Sequence, residues 1–137
     1  MDIRLFQNLQ GSAPTLLTLG ICWPFVFSGA SKLCRPSRAV AEVSELGLPF
    51  PVAMAWLTIA VQLGGSGAAI LGHGSIAALG ALALAGFTLL ATWMAHAFWK
   101  APAGLRAQQA NLFMEHLSIV SALVFVAWWK WTSQGIL

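Results

Sequence analysis

Charge is what this sequence has least of. Among its 137 residues only 8% are Asp, Glu, Lys or Arg, while 58% are hydrophobic. Soluble domains carry roughly 25% charged residues, so a chain this poor in charge does not clothe a water-facing surface. Disorder and a coiled coil are excluded on the same ground. Tyrosine is absent and cysteine occurs twice, as Cys22 and Cys34, with no Cys-x-x-Cys pair. On one helix the two would stand about 18 Å apart, beyond disulfide reach. No Gly-x-Ser-x-Gly, His-Glu-x-x-His or phosphate-loop pattern is present, so no complete catalytic constellation is visible. The net charge of +3 comes from only seven basic residues. It reports loop charges and excludes nucleic acid as a partner.

What is abundant is apolar length. The mean hydropathy is +0.78, and each bilayer crossing takes about 20 apolar residues. Four such runs are expected at residues 14–33, 51–71, 75–99 and 110–131. They predict an all-α membrane protein, one domain over residues 1–137, with the lipid bilayer as its surroundings. Met1–Ala13 carries Asp2 and Arg4 beside Leu5, Phe6 and Leu9. It lacks the pattern of a removed signal peptide and reads as an interfacial tail. Pro14 suits the opening turn of the first span, and Pro24 inside it predicts a kink at the Gly20 carbonyl.

Between spans one and two, Ser37 is a candidate N-cap, Val40, Val43 and Leu46 follow at helical spacing, and Gly47 is a stop. A short amphipathic interfacial helix is expected there. Leu48-Pro49-Phe50-Pro51 reads as an extended return into the bilayer. Gly72-His73-Gly74 is short enough to force spans two and three into an antiparallel hairpin. Its seam is expected from Gly64, Gly65, Gly67, Ala68 and Ala69 against Ala77, Ala81, Ala85 and Gly86, since small residues let helix backbones approach in lipid. Lys100–Gln109 reads as a polar turn, and the last six residues as a tail.

Lys32, Arg35, Arg38, Lys100 and Arg106 gather at one membrane face, against Arg4 and Lys130 at the other. That excess places the connecting loops in the cytoplasm and both termini outside. The expected location is the plasma (inner) membrane.

Glu115 is the most unusual residue, because an intramembrane carboxylate is costly unless paired or wetted. It reads either as a structural clamp between helices, as part of a ligand pocket, or as a proton-accepting group. His116 follows it and points about 100° away around the helix. His96 is expected at a different depth from His116, and His73 at the opposite face. No metal site is expected from these, and each histidine alone reads as a hydrogen-bonded structural residue. Gln62 falls at the depth of Glu115, and Ser28 and Lys32 approach from the same side. The candidate site is therefore a polar layer of Ser28, Lys32, Gln62, His96, Glu115 and His116. Within it Glu115 is expected to bond Gln62 or Lys32 rather than face lipid. Trp128, Trp129 and Trp131 around Lys130 read as an interfacial belt, with Phe98 and Trp99 their counterpart at the loop side. Trp23, Trp56 and Trp93 read as packing residues, with a second reading as walls of a ligand pocket.

Several of these segments carry a resemblance. Phe27-Ser28-Gly29-Ala30-Ser31-Lys32-Leu33 resembles the end of the first helix in the DoxX family of small membrane proteins. Gly47-Leu48-Pro49-Phe50-Pro51, Gln62-Leu63-Gly64-Gly65-Ser66-Gly67 and His96-Ala97-Phe98-Trp99 are similar to that family's later motifs, in order, over about residues 20–125. Two positions depart from it. Gln62 stands where the family commonly has Glu, and Glu115-His116 where it commonly has Lys-Asn, which suggests that these positions meet in space. The family takes its name from a subunit of a quinone-linked oxidoreductase. The resemblance thus implies an accessory subunit with a redox partner and a quinone or lipid pocket. The alternatives are a small oligomeric transporter or proton conductor built on Glu115 and His116, and a structural scaffold or assembly factor.

Overall fold

The computed structural model describes the backbone of residues 3–133 and the side chains of residues 13–133. Helices α1 (Ile3–Cys34), α2 (Pro36–Glu45), α3 (Pro51–Leu71), α4 (Gly74–Ala95) and α5 (Ala103–Thr132) follow in order, with a 3-10 turn at Phe98–Lys100. No strand occurs among the described residues. Four segments are long and apolar enough to cross a membrane: Ala13–Cys34, Pro51–Leu71, Gly74–Lys100 and Ala103–Thr132. The chain is an all-α, multi-pass membrane protein.

Each helix turns one narrow stripe inward at helical spacing. In α1 the stripe is Thr18, Cys22, Phe25 and Gly29, and in α3 it is Ala55, Ile59, Gln62, Ser66 and Ala69. Helix α4 is the best covered, burying Ala77, Ala81, Leu84, Ala85, Thr88 and Thr92. It packs along both α3 and α5, whereas α1 rests on α3 and barely touches α5. The bundle is therefore a folded row with a loose α1–α5 seam. Cys22, Phe25, Leu84, Leu123 and Val126 meet at its centre.

The α3–α4 seam is set by one glycine that the periodicity did not single out. A Cβ on Gly80 would lie 2.7 Å from the Gly65 carbonyl oxygen and 2.8 Å from the Ala69 nitrogen. Gly65, Ala68, Ala81 and Ala85 take part in this packing as expected. Gly64 and Gly86 do not: both are exposed, and a Cβ on either meets nothing within 4 Å. They fall off the stripe by about 100° from Gly65 and Ala85, their immediate neighbours in the chain.

Five helix ends differ from the expectations. Pro14 does not open α1, which runs unbroken through Pro14 and Pro24 from Ile3. Thr18 Oγ1 donates back to the Pro14 carbonyl at 2.8 Å, while the carbonyls that Pro14 and Pro24 leave without a helical donor lie four residues earlier, at Gln10 and Gly20. The segment read as an interfacial tail is helical from Ile3, while its side chains through Ser12 lie outside the described residues. Arg35, not Ser37, is the N-cap of α2, because Pro36 occupies the first helical position, for which its fixed φ and missing N–H suit it.

Helix α2 does pack on the bundle, with Ala39 and Val43 against Ala55 and with Val40, Leu48 and Met54 around them. Leu46 stays exposed. Gly47 closes α2 at φ 69°, its N–H donating to the Ser44 carbonyl at 3.0 Å. The following return is not extended: Phe50 is left-handed, at φ 54° and ψ 57°. Its carbonyl accepts from the Met54 N–H at 3.0 Å. Leu48, packed beside Val43, leaves no length for a straight run into α3.

The third span does not stay helical to Trp99. Helix α4 ends at Ala95 and His96 is its C-cap, at φ −119° and ψ 43°. The turn after it brings Phe98 and Trp99 against Phe113, with ring centroids 5.5 Å and 5.9 Å away. Helix α5 starts at Ala103, earlier than expected, so most of the supposed polar turn is its first two turns.

Candidate functional site

The early end of α4 and the early start of α5 together build the site. His96, freed from the helix, stacks on His116 of α5, with centroids 4.9 Å apart and planes 22° from parallel. The depth difference expected between them is thus abolished. His116 Nδ1 lies 2.7 Å from the Leu112 carbonyl oxygen. A carbonyl only accepts, so Nδ1 carries the proton and donates. His96 Nδ1 lies 2.9 Å from Gln109 Oε1, an amide oxygen that likewise accepts. In each ring Nδ1 is thus the donor, and in the neutral ring Nε2 is the lone pair left for another group.

These rings border a cavity of about 220 Å³. Its walls are Pro24 and Phe25 of α1, Gln62 of α3, Phe87, Thr88 and Thr92 of α4, and His116 and Ile119 of α5. It lies on the loose α1–α5 seam, so it is bordered by the helices that hold each other least. Gln62 is 5% exposed and Thr92 2%. Gln62 Oε1 and Thr92 Oγ1 are buried with no hydrogen-bond partner among the described residues, as is Ser66 Oγ one turn below Gln62. Thr88 Oγ1 is satisfied by the Leu84 carbonyl at 2.7 Å. An apolar cavity with a few converging polar groups is the general form of a small-molecule pocket.

A polar chain leads from this cavity to the membrane face. Gln62 Nε2 donates to Ser28 Oγ at 3.3 Å, and Lys32 Nζ donates to the same oxygen at 3.1 Å. Lys32 also pairs with Glu42 of α2 at 3.2 Å. Five of the six residues expected in the polar layer fall into two groups, Ser28, Lys32 and Gln62 in one and His96 and His116 in the other, and both groups reach the same cavity.

Glu115 is not among them. It lies on the exposed face of α5 and has no hydrogen bond or ion pair among the described residues. The expected bond to Gln62 or Lys32 is overturned. The reason is local: His116 turns inward, and its neighbour must point about 100° away, while Lys32 is already satisfied by Glu42 and Ser28. Of the Glu115-His116 pair, only His116 borders the same cavity as Gln62. A conducting path running through both Glu115 and His116 of one chain has no geometric basis, because the two side chains diverge. The deep tryptophans do not wall the pocket either. Trp23, Trp56 and Trp93 are exposed, and the aromatic walls are Phe25 and Phe87.

Gln109 and Thr92 escaped notice in the sequence, although spacing carried a signal for both. Gln109 precedes His116 by two helical turns, and Thr88, Thr92 and His96 recur every fourth residue. Glu42 escaped as the partner of Lys32 because nothing local ties α2 to α1.

The DoxX family profile matches residues 13–97, which is more than half of the chain. The protein belongs to the DoxX family. The match runs from residue 13, within α1, past the end of α4, including Ser28, Lys32, Gln62, Thr92 and His96, and stops short of α5. No curated protein and no solved structure matches the chain.

The cavity's residues can be tested against a quinone-type ring, the group the resemblance implies. The cavity, about 220 Å³, has room for one substituted ring. Thr92 Oγ1 supplies a donor; Gln62 Oε1 and the two imidazole Nε2 atoms supply acceptors. The donor set fits, and it is richer in acceptors than in donors.

Proposed function

We propose that this DoxX protein is an accessory subunit of the inner membrane that seats a quinone-type ring, preferentially as the quinol, and docks to a redox partner. One observation carries the reading: Gln62 and Thr92, which line the cavity beside His96 and His116, each hold a buried side-chain oxygen with no partner among the described residues. Leaving such atoms unpaired costs about 1–3 kcal/mol each, a cost that a ligand carrying hydroxyls relieves. When bound, the quinol supplies two-electron redox chemistry. The chain's own residues bind and orient it, Gln62 and the Nε2 atoms accepting its hydroxyls while Phe25 and Phe87 cover the ring. Electron transfer is assigned to the redox partner.

Docking is supported by Glu115. A carboxylate on the exposed face of a membrane span, about 14 Å along the helix from Arg106, is stabilised when a neighbouring polypeptide covers it. A basic or amide-bearing helix of the redox partner suits it better than a second copy, which on a two-fold axis would oppose one carboxylate to another. The basic loops bearing Lys32, Arg35, Arg38, Lys100 and Arg106 are assigned to the cytoplasm and both termini to the outside.

The test is purification from native membranes followed by organic extraction, together with titration of a short-chain quinol and its quinone into the purified chain. Recovery of a bound quinone and a co-purifying oxidoreductase, with the quinol bound more tightly, is expected. A chain that comes out alone, without quinone, and that binds neither form overturns the reading.

A further inference from the structure

A second cavity opens where α1 meets α2, at the membrane face. Its volume is about 230 Å³, and Phe27, Ser28, Ser31, Lys32, Arg35, Arg38, Ala39 and Glu42 line it. Three cations and one carboxylate therefore border a single hollow. Glu42 pairs with Lys32 at 3.2 Å and with Arg38 at 3.8 Å, so one carboxylate is shared by two cations. Arg35 has no ion pair among the described residues. The hollow is left with an excess of two positive charges and with guanidinium donors that fit phosphate oxygens in pairs. Its lower wall is not polar. Phe27 is 69% exposed and stands one turn from Ser31 on the lipid side of α1.

We propose that this hollow binds the phosphodiester headgroup of an anionic phospholipid, with an acyl chain lying along α1 past Phe27. The charge excess selects an anion, and the forked donors of Arg35 and Arg38 select a phosphate. Phe27 and the position at the end of a membrane span select a lipid over a soluble phosphate. Basic pockets between membrane helices at the headgroup level bind such lipids by this chemistry. Helix α2 forms the other wall. Its buried Ala39 and Val43 fix it on α3, so the hollow is shaped before any lipid arrives. This assignment does not rest on the quinol reading of the inner cavity.

The test uses the full-length chain in mixed phosphatidylglycerol and phosphatidylcholine vesicles, transferred to detergent and weighed by native mass spectrometry. Phosphatidylglycerol is expected to stay on the wild type and phosphatidylcholine to leave. Arg35→Gln with Arg38→Gln is expected to lower phosphatidylglycerol retention by on the order of tenfold, from the loss of two charges near the surface. Arg106→Gln, which removes a charge from the same face outside the hollow, leaves retention unchanged. Equal retention of both lipids by the wild type, or an equal loss with Arg106→Gln, overturns the proposal. So does displacement of the lipid by millimolar inorganic phosphate, which would assign the site to a soluble anion. If the double variant fails to fold, the wild type alone decides. Its melting temperature must rise in phosphatidylglycerol micelles relative to phosphatidylcholine micelles and lose that rise in high salt.

Discussion

Gln62 Nε2 and Ser28 Oγ, separated by 3.3 Å, join α3 to α1 through the only side-chain hydrogen bond of Gln62 among the described residues. Its other end, Oε1, is buried against the inner cavity with nothing to accept. A residue half satisfied in this way sets stability and binding against each other.

Gln62→Leu removes both the bond to Ser28 and the unpaired oxygen. Losing the bond costs about 1 kcal/mol, while removing the orphaned acceptor returns about 1–3 kcal/mol. The variant is expected to melt at the wild-type temperature or above it in detergent, and to bind short-chain quinol about tenfold more weakly. A variant that melts lower and binds as before would mean that Gln62 only holds helices together.

The two imidazoles give a spectroscopic expectation. Nitrogen-15 spectra of histidine-labelled protein should show His96 and His116 both protonated at Nδ1 and bare at Nε2. Gln109→Leu should free the His96 ring, removing its Nδ1–H signature and leaving that of His116 in place. A bare Nδ1 on His116 would contradict its 2.7 Å contact with the Leu112 carbonyl.

Glycines of similar appearance should diverge. At Gly80 an added methyl meets the backbone of α3 at 2.7 Å, so Gly80→Ala forces the helices apart and is expected to cost about 1–3 kcal/mol. At Gly64 the methyl meets nothing within 4 Å. Gly64→Ala then gains helix propensity of about 0.5–1 kcal/mol. Thermal unfolding of the two variants beside wild type checks the contrast, which vanishes if Gly80 is not at a tight crossing.

Glu115→Gln should leave the melting temperature of the isolated chain within about 0.5 kcal/mol of wild type, as for an exposed side chain without partners. The same change should lower the yield of co-purified partner several-fold. A large loss of stability in the isolated chain would restore the inward placement of the carboxylate that the structure rejects.

How much of this was legible in the sequence depends on the kind of interaction. The four spans were readable because bilayer thickness dictates their length, whatever the partners. Gly65, Ala68, Ala81 and Ala85 were readable because small residues at helical spacing have one use in lipid. Gly64, one residue from Gly65, was misread because composition marks a glycine-rich patch without marking its face. Glu115 was misread for a related reason. Cost argued that the carboxylate should be inside, but the neighbouring His116 took the inward position, and two adjacent residues on a helix cannot share one face. The stacking of His96 on His116 was hidden by a boundary error. Only when α4 ends at Ala95 and α5 begins at Ala103 do the rings reach one level.

Ser28 has a consequence larger than its size. Its one hydroxyl oxygen takes donors from Lys32, which borders the headgroup-level hollow, and from Gln62, which borders the inner cavity. An anion that draws Lys32 away would leave Ser28 to Gln62 alone and change how the amide is held against the inner cavity. The two compartments are then thermodynamically linked across a single atom. Whatever factor an occupant of one imposes on the affinity of the other must be returned in equal measure. A membrane's lipid composition would in this way be written into the ligand affinity of the helical bundle itself, and Ser28→Ala is the change that should erase it.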